Sequence, residues 1–156
     1  MKGLERLETY LREQGVPFRV QHHPLAYTAR QVAESEHLPG RLVAKVVLVF
    51  ADGRPVLLAL PASHRVSPAR VEEALGAGSV RLAEERELER AFPDCEVGAM
   101  PPFGNIYGLP VCVDRTLAEG DAIVCQAGTH TDTIIVSFAD FRRLVRPAVA
   151  DFALPA

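Results

Sequence analysis

Three places in the chain carry residue types that could act on a substrate: Lys45, the segment Gly98 to Gly104, and His130. Lys45 is the lone charge in Ala44-Lys45-Val46-Val47-Leu48-Val49-Phe50, and an ammonium among apolar neighbours must find a partner or reach water. It fits two roles: a fixed cation for a phosphate, hydroxyl or polarised carbonyl, or a lysine that snorkels from a strand end and guards an edge. Gly98-Ala99-Met100-Pro101-Pro102-Phe103-Gly104 encloses paired prolines between glycines, which restricts the backbone while leaving part of it bare. Such a loop can aim N–H groups at a developing oxyanion in advance of the reaction, or it can be a stiff surface turn. His130, in Gly128-Thr129-His130-Thr131-Asp132, can hydrogen-bond substrate, orient a ligand group or merely close its turn.

Several other chemistries lack their signatures. His22, His23, His37 and His64 show no H-E-x-x-H spacing and no C-x-x-C pair is present, so no metal site is expected. Ser63-His64 lacks the G-x-S-x-G frame of a nucleophile elbow. Gly76-Ala77-Gly78 lacks the third glycine of a dinucleotide fingerprint and follows a predicted helix. Cys95, Cys112 and Cys125 are odd in number, and the last two sit in apolar runs, which suits reduced core thiols and no disulfide framework.

The elements that must position these residues follow from periodicity and punctuation. Leu4, Leu7, Tyr10 and Leu11 recur at helical spacing before Gly15 and Pro17, which predicts a helix over about residues 3 to 14. Phe18 to Gln21 reads as a short strand, and Thr28 with Gln31 forms a capping box for a helix over Ala29 to His37, ending before Pro39-Gly40. Leu42 to Ala51 and Pro55 to Leu60 are strands joined by the hairpin turn Asp52-Gly53. Ser67-Pro68 opens a helix that Gly76 closes. Val80 to Leu82 is a strand, Ala83 to Phe92 a charged helix, and the proline loop follows. Leu109 to Val113, Ala122 to Cys125 and Thr133 to Val136 are strands, and Ser137 caps a last helix over Phe138 to Val145. Strands adjoin strands more often than they alternate with helices, so the class is α+β with a mixed, curved sheet.

At 156 residues, 48% hydrophobic and 24% charged, the chain reads as one globular domain over residues 1–156. The mixed charges of Met1 to Arg6 suit no secretory signal and no apolar run reaches bilayer-spanning length, which points to the cytoplasm and away from a membrane. A net charge of −3 and a pI near 5.9 disfavour a protein that coats nucleic acid, while allowing one that grips a single end. Arg142, Arg143 and Arg146 are the densest basic group, either a phosphate contact or a solvated helix face.

Taken together, Lys45 in its apolar strand, the G-x-x-x-P element Gly98 to Pro102 running on through Phe103-Gly104-Asn105, and the G-x-H element Gly128 to His130 before Ser137-Phe138-Ala139-Asp140-Phe141 resemble the YbaK and prolyl-tRNA-synthetase-associated editing domain family. The resemblance covers most of the chain and implies a central mixed sheet, partly closed like a barrel, with helices around it. It implies an aminoacyl-tRNA deacylase in which Lys45, Gly98 and His130 are catalytic. Ala99, Met100, Pro101, Pro102, Phe103, Gly104, Gly128 and Thr129 would then border the substrate. No cofactor is implied.

The partner implied is the acceptor end of an aminoacyl-tRNA, with prolyl-tRNA synthetase as a candidate docking protein and the oligomeric state open. An activated ester beside a ribose hydroxyl needs little from the protein beyond position and charge, so no acyl-enzyme is expected. A proline pocket discriminates a missing methylene by only about 1–3 kcal/mol, which makes tRNA(Pro) carrying alanine or cysteine the first expected substrate, with serine and threonine behind them. Val46 stands where relatives often carry a polar residue, and this bears on amino-acid preference. The alternative is a non-catalytic module that binds a tRNA end, a nucleotide or a protein on the same fold.

Overall fold

In the computed structural model, which describes residues 2–26, 28–36 and 40–155, the elements form where propensity and punctuation place them. Helix α1 (Gly3–Glu13) buries Gly3, Leu7 and Leu11 on one face. Strand β1 (Arg19–His22) leads to α2 (Ala29–Ser35), whose Thr28 cap and Gln31 make the expected reciprocal capping box. The predicted end of that helix at His37, before Pro39, lies outside the described residues.

Strands β2 (Ala44–Ala51) and β3 (Arg54–Pro61) pair antiparallel with Lys45 opposite Leu60. Asp52 and Gly53 turn the hairpin with φ of 49° and 81°, the left-handed geometry that a two-residue hairpin requires. Short β4 (His64–Val66) precedes α3 (Pro68–Leu75), which Ser67 caps and Gly76 ends in a left-handed conformation. Next come β5 (Val80–Leu82), α4 (Glu85–Ala91) and a 3-10 turn over Gly104–Tyr107. The chain finishes with β6 (Val111–Asp114), α5 (Arg115–Ala118), β7 (Ala122–Gln126), β8 (Asp132–Ser137), α6 (Phe138–Val145), β9 (Ala148–Ala150) and β10 (Ala153–Pro155).

The architecture is α+β. A five-stranded mixed sheet runs β5-β2-β3-β6-β9, with β3, β6 and β9 parallel, and an antiparallel sheet runs β1-β8-β7. A parallel bridge between Val43 and Val124 joins the two just before β2 begins. The resulting surface is curved and stays open, because β5 and β9 remain as edges, so the barrel-like closure reduces to curvature. The fifth strand is short and sits beside β2 only at Val49 to Ala51.

Alternation along β2 decides where Lys45 points. Ala44 and Leu48 enter the main core with Leu57, Ala59, Phe103 and Phe141. Lys45 shares its face with Val47 and Val49, which pack with Leu58, Leu60 and Phe152 in a second cluster on the other side. Lys45 therefore continues an apolar face at the end where β2 meets the second sheet.

Strands β4, β9 and β10, helix α5 and the 3-10 turns over Gly40–Leu42 and Gly104–Tyr107 lie outside the predicted set, and the first of these turns makes β2 begin at Ala44 and not at Leu42. Strand β6 also begins later than predicted, at Val111. Leu109 donates back to the Gly104 carbonyl at 2.8 Å, and Pro110 has no N–H for a ladder.

Candidate active site

Lys45 lines a cleft of about 400 Å³. Its Nζ donates to the carbonyl of His64 at 3.2 Å, which braces the half-buried ammonium at the wall. Gly98 lines the same cleft. Its φ of 86° is in the region that L side chains avoid, so glycine is required for backbone reasons before any substrate is considered.

Beyond Gly98 the loop turns inward. Ala99, Met100 and Phe103 are at most 4% exposed, and Pro101, Pro102 and Gly104 are buried too. Phe103 meets Phe141 edge-on at 5.2 Å. These residues anchor the loop in the core, and among the predicted binding residues of this segment none lines the cleft. The Ala99 N–H is spent on the Glu96 carbonyl at 3.0 Å, and among the described loop residues from Gly98 to Gly104 the cleft lining holds Gly98.

The G-x-H turn is laced to this loop. Glu96 N–H donates to the Gly128 carbonyl and Gly128 N–H to the Ala99 carbonyl, both at 2.8 Å. The His130 N–H donates to the Glu96 carboxylate at 3.1 Å, and its ring Nε2 lies 2.8 Å from the Val97 carbonyl. A carbonyl only accepts, so Nε2 carries the proton. His130 is 7% exposed and absent from the cleft lining among the described residues; it reaches the site through the residue before Gly98.

Gly128 and Thr129 line a different hollow of about 590 Å³, with Lys2, Glu5, Asp94 and Cys95. Gly128 has a φ of 93°, and a Cβ there would stand 3.1 Å from the Gly3 Cα, so this glycine lets α1 approach the turn. Thr129 Oγ1 donates to Asp132 at 2.5 Å. The structure thus brings Lys45 and Gly98 together, sets His130 behind them, and places Gly128 and Thr129 elsewhere. Arg142, Arg143 and Arg146 also lie away from the cleft lining.

Val46, singled out in the sequence for its bearing on amino-acid preference, lines the cleft, and the remaining lining residues escaped sequence reading. Thr28, Ala29 and Arg30 come from the start of α2, Val46 and Val47 from β2, Ala62, His64 and Arg65 from the β3–β4 corner, and Gln126 from the end of β7. Gln126 is 5% exposed, and its Nε2 donates to the Ala26 carbonyl at 3.3 Å. Its Oε1 is then the amide atom left for a ligand. A buried glutamine closing the run Ile123-Val124-Cys125 was the one local signal available; the rest depends on tertiary proximity.

Among the described residues the lining holds Arg30, Lys45 and Arg65 and no carboxylate, so a chain of net charge −3 concentrates positive charge at this place. Among the described lining residues there is no cysteine or serine. Burial pushes the Cys125 thiol up to about 12 and those of Cys112 and Cys95 to about 11, so none is a thiolate at neutral pH. Thr28 Oγ1 is occupied as the α2 cap, accepting from Gln31 N–H at 3.1 Å.

The model of the aminoacyl-tRNA editing domain family matches residues 23–144. The chain belongs to this family. Editing is hydrolysis of the ester that joins an amino acid to tRNA, and the enzyme class is that of a hydrolase acting on ester bonds. The chain is 27% identical over 153 residues to the multifunctional Ser/Thr-tRNA deacylase ProXp-y of Escherichia coli K12, covering 95% of this chain and 91% of that one. It is 32% identical over 125 residues to a proline–tRNA ligase of Acidithiobacillus ferrooxidans, spanning 78% of this chain and 22% of the ligase. A solved structure described as a candidate trans-editing enzyme for prolyl tRNA synthetase superposes with a TM-score of 0.86 at 18% identity, over 99% and 98% of the two chains; this likeness concerns fold.

The cleft carries groups that ester hydrolysis can use. A cation next to a rigid glycine corner can hold a phosphate or polarise an ester, and groups fixed before reaction need no reorganisation as charge develops. With no cysteine or serine among the described lining residues, the arrangement suits direct attack by water on a positioned ester.

Proposed function

We propose that the chain is a trans-editing deacylase that hydrolyses mischarged tRNA, with Lys45 binding the substrate terminus and the Gly98 amide facing the ester. The observation that carries this reading is the meeting of Lys45 and Gly98 in one cation-lined cleft. His130 acts as a positioning residue through the Val97 carbonyl. Water, or the neighbouring ribose hydroxyl acting on water, supplies the nucleophile, and no acyl-enzyme forms.

The wall made by Ala29, Val46, Val47 and Ala62 suits a small amino acid, and tRNA(Pro) carrying alanine or cysteine is the first reading. Seryl and threonyl esters are the second, favoured by the Gln126 side-chain amide in the cleft lining and by the E. coli relative named for those substrates. Relatives within proline–tRNA ligases support prolyl-tRNA synthetase as the candidate docking partner, and a tRNA substrate supports work in the cytoplasm.

Incubation with tRNAs charged with labelled alanine, cysteine, serine, threonine and proline, following ester loss, tests both levels. Loss from the small amino acids with prolyl-tRNA spared is expected. Tight tRNA binding with every ester intact would establish the non-catalytic module instead.

A further inference from the structure

Two of the three cations at the cleft have no role in the chemistry just described. Arg30 is on α2 and Arg65 on β4, and both line the cleft with exposed side chains. Arg30 Nε stands 3.9 Å from Glu34 Oε1, with the two side chains 78% and 71% exposed, an ion pair weak enough to be exchanged for another anion. Among the described residues Arg65 has no carboxylate partner. Two guanidinium groups flank a cleft lined by no carboxylate, in a chain whose net charge is −3.

That distribution has a direction. A cleft of about 400 Å³ is in the size range of a small-molecule site; it accepts a terminal nucleoside with its amino acid and excludes a duplex. Anything polymeric that reaches the arginines while its end is inside must therefore be single-stranded, and the planar guanidinium fork suits phosphate oxygens. We propose that Arg30 and Arg65 clamp phosphates on the 5′ side of the terminal nucleoside, so that the enzyme recognises the single-stranded 3′ end. This rests on the deacylase reading for the identity of the RNA, and it puts the phosphate contact on α2 and β4 and leaves Arg142, Arg143 and Arg146 as a solvated face.

The test measures binding of the full chain to a short single-stranded RNA with the tRNA 3′-terminal sequence, as a function of salt. Each phosphate neutralised on a single strand contributes a slope of about 0.7 in log affinity against log salt, so Arg30→Ala with Arg65→Ala should lower the slope by about 1.4. Between roughly 50 and 200 mM salt the parent should then lose about sevenfold more affinity than the variant. Lysine at both positions should restore the slope, because a point charge still neutralises phosphate. Arg142→Ala with Arg143→Ala should leave it unchanged. An alanine pair that keeps the parental slope, or a lysine pair that fails to restore it, overturns the clamp. A changed slope without any ester hydrolysis would keep the clamp and defeat the deacylase reading.

Discussion

The ring of His130 donates from Nε2 to the carbonyl of Val97, 2.8 Å away, and so fixes the peptide that leads into Gly98. The histidine is therefore tied to the glycine loop from behind, and the role proposed for it is to hold the geometry of that loop. His130→Ala should lower deacylation by about tenfold, less than Lys45→Ala does, and cost about 1–3 kcal/mol of stability from the lost hydrogen bond and the void. Paired kinetic and thermal measurements decide the matter; a loss exceeding that of Lys45→Ala would make the ring a direct participant.

Lys45→Ala separates the two roles open to a lysine in an apolar strand. Its Nζ bond to the His64 carbonyl is half-buried and contributes about 1 kcal/mol, so the melting temperature should move by only a few degrees. Deacylation should drop at least a hundredfold. A variant as active as the parent would reduce Lys45 to a strand guard.

At Gly98 the φ of 86° makes any β-branched residue unfavourable by about 1–2 kcal/mol. Gly98→Val should cost that much stability and far more turnover, since strain is relieved by turning the amide away from the cleft. Chemical denaturation alongside single-turnover hydrolysis gives the comparison. A loss of activity that merely tracks the loss of folded protein would leave Gly98 as a turn residue.

Much of this was legible in the sequence because local rules coincide with the fold. Ser67-Pro68 with Gly76, the Asp52-Gly53 hairpin and the Ser137 cap each carry their geometry in a few residues. Strands β4, β9 and β10 did not show because their partners, β10 with β4 and β6 with β9, are brought by tertiary structure and not by a local turn. The same limit explains the site. Lys45 and Gly98 stand out by type, whereas Arg30, Arg65 and Gln126 become site residues only when α2, β4 and β7 converge. Gly128 and His130 were legible as a motif, but their part in bracing the loop follows from hydrogen bonds that no spacing encodes.

Asp114 links acid stability to the position of Lys45. The carboxylate is 2% exposed and accepts from the N–H groups of Phe152 and Ala153, both at 2.9 Å, and from Thr116. Burial pushes its pKa up, but the bonds from Thr116, Phe152 and Ala153 outweigh burial and leave it below the ordinary carboxylate value. A lowered pKa in the fold means that the stabilisation is complete above the unfolded value, near 3.9, and is lost as pH falls through the folded one. Asp114→Asn should cost about 2–4 kcal/mol near neutrality, because its amide places donors against donors. The gap between parent and variant, measured by denaturation at successive pH values, should stay constant down to about pH 5 and narrow below about pH 4. A gap independent of pH would show that the charge is not what holds this corner. The corner bears on the site because Ala153 begins β10, β10 pairs with β4 at His64, and the His64 carbonyl receives Lys45; Asp114→Asn should accordingly impair deacylation even where the protein remains folded.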